Sequence, residues 1–144
     1  MLLHSEIIGK LINKKYELGE NDCLSLIKGY VECRYSIQLP FSYKGYDFSN
    51  YKELYLKDKE KALIILEEYL DKNFEINFGN FFDVGDILWT KYKFEVETHN
   101  ICTIGICSGN GLMLSAFPKI GSILVPLSDY KVEKVYKWVG LQEE

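Results

Sequence analysis

The residue best placed to do chemistry is Cys23. It follows Gly19-Glu20-Asn21-Asp22 and opens a stretch, Leu24 to Val31, whose apolar positions recur at helical spacing. A cysteine in the first turn of a helix lies among unpaired backbone N–H groups at the positive end of the helix dipole, which favours the thiolate. Nucleophilic catalysis also needs an imidazole to take and return the proton. The sequence has only two histidines, His4 and His99. His4 reads as a surface neighbour of the first helix cap. His99 precedes Thr103 by four residues, ~13 Å along a strand at ~3.3 Å per residue. Its place beside Thr98 and Asn100 predicts a solvated loop side chain, yet it is the candidate base. Glu17, Glu20 and Asp22 put carboxylates beside Cys23, and negative charge raises a thiol pKa. Asn21 or Asp22 is expected to cap the helix, with Asp22 favoured, and Asp86, after Gly85, to fix a turn.

Other chemistries lack their residues. Cys23, Cys33, Cys102 and Cys107 form no C-x-x-C pair, which argues against zinc-ribbon and thioredoxin-like sites. Cys102 and Cys107 are five apart and point to opposite sides of one strand; Cys33 belongs to another helix face than Cys23. Free thiols are expected, with no metal. No P-loop, no G-x-G-x-x-G between strand and helix and no paired-carboxylate pattern is present, so no cofactor is expected. Lys+Arg 17 against Asp+Glu 21 gives a net charge of −4, which argues against nucleic acid as partner. The N-terminus has neither a basic region nor a long apolar run, so no signal peptide and no membrane span are expected.

The elements that must hold Cys23 follow from periodicity. The 144 residues, 47% hydrophobic, suit one domain over 1–144. A short helix is expected over 5–15, with Ile7, Ile8, Leu11 and Ile12 on one stripe and Ser5 as cap. A second helix starts at about Cys23. Residues 36–52, rich in aromatics and lacking a period of 2 or 3.6, predict an irregular excursion, and the Tyr-rich stretch 41–55 a contact surface. A third helix is expected from Asp58 to Lys72. Beyond Asp86, strands are expected at Ile87–Thr90, Ile101–Cys107, Leu112–Ala116, Ser122–Val125 and Val132–Trp138, with a hairpin turn at Gly109-Asn110-Gly111. Helices to about residue 75 followed by an antiparallel sheet over about 84–140 make an α+β fold.

The segment Tyr16-Glu17-Leu18-Gly19-Glu20-Asn21-Asp22-Cys23-Leu24-Ser25-Leu26, followed by Leu39-Pro40, resembles the nucleophile segment of the NlpC/p60 cysteine peptidase superfamily, in particular its branch in bacteriophage tail-tip proteins. Val84-Gly85-Asp86-Ile87-Leu88 resembles that family's "pGDlv" strand. Ile104-Gly105-Ile106-Cys107-Ser108-Gly109-Asn110-Gly111 resembles its "H-V-G-I-Y-x-G-x-G" hairpin. Val125-Pro126-Leu127 and Tyr136-Lys137-Trp138 also fit, so the likeness covers about 16–139. It implies a papain-like fold with Cys23 as nucleophile. The family's histidine before V-G-I is matched here by Thr103, and its second polar residue by Ser115. Hydroxyls do not serve as bases near neutral pH. The resemblance therefore implies a catalytically impaired protein serving as a phage or prophage tail component. Other tail proteins would be its partners, and it would reside in the virion tail or, during assembly, the host cytoplasm. The alternative is an active amidase or endopeptidase on peptidoglycan stem peptides, with Cys23 as nucleophile and His99 or a partner's histidine as base.

Overall fold

The computed structural model describes residues 3–15, 22–77, 81–94, 102–117 and 120–138, the side chains of Lys52 and Cys102 excepted. The first helix, α1, spans His4–Leu11 and buries Ile7 and Ile8. It ends sooner than its apolar stripe suggests, because Asn13 takes a positive φ of 62° and turns the chain. Ser5 is not its cap: the N-cap is Leu3, which makes no side-chain capping bond, and Ser5 lies inside the helix.

Helix α2, Cys23–Tyr35, starts as expected. Asp22 is extended at φ −105°, and its Oδ1 accepts the Ser25 N–H at 2.9 Å. Leu24, Leu26, Ile27, Tyr30 and Val31 are buried along it. The left-handed Ser36 ends it.

The stretch expected to be irregular is built instead from small regular pieces. Strands β1 (Ser42–Tyr43) and β2 (Tyr46–Asp47) form a hairpin, closed by Lys44 at φ 49° and Gly45 at φ 82°. A 3-10 turn, Phe48–Asn50, leads into helix α3, Tyr51–Lys57. Aromatic residues, which masked any period in the sequence, explain the arrangement. Phe48 packs against Phe41, Tyr51 and Tyr69, the last in an edge contact with centroids 4.9 Å apart. Phe48 and Tyr51 are buried, so part of the supposed contact surface is core. Helix α4, Lys59–Asn73, is capped by Asp58, which accepts the Lys61 N–H. It buries Ala62, Ile65, Leu66, Tyr69 and Leu70.

The remaining strands are β3 (Glu75–Asn77), β4 (Ile87–Tyr92), β5 (Cys102–Gly109), β6 (Leu112–Phe117), β7 (Gly121–Pro126) and β8 (Tyr130–Lys137). They form an antiparallel sheet in the order β3-β8-β4-β5-β6-β7. Alternation along the strands feeds two cores. Ile87, Trp89, Ile104, Ile106, Leu114 and Tyr136 join the helices. Leu88, Cys107, Met113 and Val135, one residue out of step, form a second cluster with Tyr130. Gly109, Asn110 and Gly111 all have positive φ and make the β5–β6 turn. The architecture is α+β. Among the described residues, no helix is long and apolar enough to cross a membrane.

The stretch after α1 straps the outer edge of β7. Asn13 N–H donates to the Ser122 carbonyl at 2.6 Å, Ser122 N–H to the Lys14 carbonyl at 2.8 Å, and Lys14 N–H to Ser122 Oγ at 2.8 Å. The Ser122 hydroxyl donates to the Leu11 carbonyl. Gly121, at φ 99°, is required here because a Cβ would collide with the Lys14 carbonyl.

Candidate functional site around Cys23

Cys23 sits where α2 meets the ends of β5 and β6. Register pairing of these strands reaches Gly105–Ser115. The Cys23 Sγ lies 3.9 Å from Ser115 Oγ and donates to the Ala116 carbonyl at 3.4 Å. The Ser115 hydroxyl in turn donates to the Ile104 carbonyl at 2.6 Å. Both protons are thus committed to backbone carbonyls, which accept hydrogen bonds but neither take up nor return a proton. Burial, followed by the adjacent Asp22 carboxylate, pushes the Cys23 thiol up from its ordinary value; the Ser115 hydrogen bond pulls it down and is outweighed. The helix N-terminus favours a thiolate, but its surroundings keep the thiol neutral.

Ser115, one of the candidate site residues, is therefore brought next to Cys23. Thr103 is buried, pairs in register with Thr90 and takes the Thr90 hydroxyl on its carbonyl at 2.7 Å. Its own Oγ1 is buried with no hydrogen-bond partner among the described residues. By strand alternation Thr103 shares a face with Gly105 and with Ser115, the register partner of Gly105. Gly105 has no room for a side chain: a Cβ would lie 2.5 Å from Met113 Cγ and 2.6 Å from the Leu114 carbonyl oxygen. His99, the candidate base, lies outside the described residues.

His4 is not the surface neighbour expected from sequence. It is half-buried and belongs to a chain of hydrogen bonds at the other end of α2. Its Nδ1 is 2.5 Å from Tyr30 OH, and its Nε2 is 3.3 Å from the Ser108 carbonyl. Arg34 Nη1 donates to Tyr30 OH at 2.7 Å and to the Val84 carbonyl at 3.0 Å. Gly85, at φ 91°, passes so close that a Cβ would collide with Arg34 Nη1 and come within 2.6 Å of Tyr30 OH. Sequence reading missed this cluster. Its one local signal is the i,i+4 spacing of Tyr30 and Arg34.

Asp86 fixes a turn, as expected. Its Oδ2 accepts the Asp83 N–H and the Lys137 ammonium, both at 2.7 Å, while Gly85 N–H donates to the Cys107 carbonyl at 2.8 Å. Cys33 is exposed and Cys107 buried, and both are free thiols. Compared with known proteins, the chain matches no family model and no curated sequence.

Proposed function

We propose that the chain is a catalytically impaired NlpC/p60-like protein of papain-like fold, acting as a structural or assembly component of a phage or prophage tail. The observation that carries the impairment is the surroundings of Cys23. Its thiol is hydrogen-bonded to the Ala116 carbonyl and lies against the Ser115 hydroxyl, and burial holds it neutral. A cysteine nucleophile without a proton acceptor attacks slowly, and without a general acid the leaving amine is not protonated. A helix N-terminus bearing Cys23 against two antiparallel strands, with the Gly85-Asp86 turn entering β4, supports the papain-like assignment. The tail role rests on the sequence resemblance, with other tail proteins as partners and the virion tail, or the host cytoplasm during assembly, as location.

The test is iodoacetamide labelling of Cys23 against pH, with the modified peptide mapped by mass. Cys33 is replaced by Ser, because that exposed thiol would otherwise dominate the signal. Turnover of purified peptidoglycan is followed in parallel. Slow labelling that rises only above the free-thiol value of roughly 8.5, with no turnover, is expected. Turnover that is lost in Cys23→Ser and in His99→Ala would overturn the impaired reading and establish the hydrolase.

A further inference from the structure

We propose that α1 and the strap that follows it form a pH-operated latch, closed by neutral His4 and opened when His4 takes a proton. The hydrogen bonds assign the protons. Arg34 has only donors, so Tyr30 oxygen accepts from it, and the Tyr30 O–H is left to donate to His4 Nδ1. Nε2 then carries the imidazole proton and donates to the Ser108 carbonyl. Every group in this chain is satisfied when His4 is neutral.

A second proton on His4 can enter only at Nδ1. The Tyr30 hydroxyl then faces two donors, Arg34 and His4, and its own proton must turn elsewhere beside a fully buried ring. The new charge also stands across that hydroxyl from the Arg34 guanidinium. Tyr30 and Arg34 face His4 from α2, and β5 presents the Ser108 carbonyl, with Cys107 adjacent to it. On the turn that Arg34 clasps, Asp83 and Asp86 are committed to Lys137. Burial depresses the His4 pKa, the hydrogen bond to the Ser108 carbonyl opposes it by less, and the Arg34 charge adds a still smaller downward push.

The sign follows from linkage. A base whose folded pKa is depressed contributes stability above its unfolded value, roughly 6.5, and loses it as pH falls toward the folded value. Opening reaches the strap because α1 runs directly into it. Asn13 and Lys14 hold Ser122, and Ser122 pairs with Ala116, whose carbonyl accepts the hydrogen bond from the Cys23 thiol.

Amide hydrogen exchange from pH 7.5 to 5, corrected for intrinsic rates, tests the proposal. Protection of Ile8, Ile12 and Ser122 amides should fall below about pH 6.5, by at most about tenfold per pH unit for one proton. Trp89 and Ile106 amides, in the central strands, should hold. His4→Gln should abolish the pH dependence, and His4→Lys, permanently charged, should leave the same amides poorly protected even at pH 7.5. With only two imidazoles in the chain, NMR assignment of His4 is direct. The Nε2–H tautomer and a pKa below the ordinary value are expected. Protection that is flat with pH, a parallel loss in Trp89 and Ile106, or an unchanged pH profile in His4→Gln would overturn the latch.

Discussion

Thr103 and Thr90 stand opposite each other in the sheet, are both buried, and differ in one bond. The Thr90 hydroxyl donates to the Thr103 carbonyl, whereas Thr103 Oγ1 has no partner among the described residues. A buried hydroxyl without a partner carries its full desolvation cost, so exchanging it for a methyl removes a penalty. Thr103→Val is therefore expected to be neutral or stabilising by about 1 kcal/mol, and Thr90→Val to cost about 1–2 kcal/mol. Urea denaturation of the two variants checks this, and equal losses would contradict the asymmetry. Gly85 is constrained more severely. Gly85→Ala places a Cβ at positive φ, worth about 1–2 kcal/mol for an L residue, and drives it into Arg34 and Tyr30. A loss of more than about 2 kcal/mol is expected, recovered in part by Arg34→Ala, which removes the clash with the guanidinium but leaves the one with Tyr30. Sequence reading treated Gly85 only as part of a turn motif. The collision involves α2, some fifty residues earlier, and no local pattern encodes it.

The first turn of α2 is where local sequence and structure agree most closely. Capping is a short-range rule, and Asp22 follows it, accepting the Ser25 N–H. The same carboxylate helps to raise the Cys23 thiol. Two substitutions separate these roles. Asp22→Ala removes the cap and should cost about 1 kcal/mol. Asp22→Asn keeps a capping oxygen while removing the charge, so it should leave stability near wild type and bring the Cys23 pKa down, read from labelling rate against pH. An unchanged pKa in Asp22→Asn would leave burial as the whole cause. Elsewhere, legibility depended on range. Helix α4 was visible because Ala62, Ile65, Leu66, Tyr69 and Leu70 keep a helical period, and β4 to β8 because β-formers alternate between turns. The hairpin of β1 and β2 and helix α3 were not visible. Phe41, Phe48, Tyr51 and Tyr55 are placed by contact with one another and with Tyr69, so their spacing follows a tertiary cluster rather than a helix or strand. Strand β3 has only three residues and is defined by pairing with β8, sixty residues later. The same holds for His4, whose partners are 26 and 104 residues away and leave no mark on its neighbours in sequence.

At the scale of the whole molecule, the high tyrosine content couples packing to alkaline pH. Burial is the leading cause that raises Tyr30, Tyr69 and Tyr130, and it does the same to the Cys23 and Cys107 thiols. These are acids that the folded state keeps protonated. Their contribution is fully present below the unfolded values, roughly 8.5 for thiols and 10 for tyrosines. It is lost as pH rises toward the folded values, because the unfolded chain gives up protons first. Tyr69 is strongly raised. It is fully buried, and its hydroxyl donates to the Pro40 carbonyl, joining α4 to the segment that leaves α2. Tyr69→Phe should be less stable than wild type at pH 7 by about 1 kcal/mol, the net worth of one hydrogen bond. Above pH 10 it should lose stability less steeply, because it no longer carries that proton. The two stability curves should therefore approach each other as pH rises, measured by urea midpoints at pH 7, 9 and 10.5. Parallel curves would mean that the Tyr69 hydroxyl ionises in the folded protein as readily as in the unfolded chain, and that its bond to Pro40 does not join the helical layer to the α2 exit.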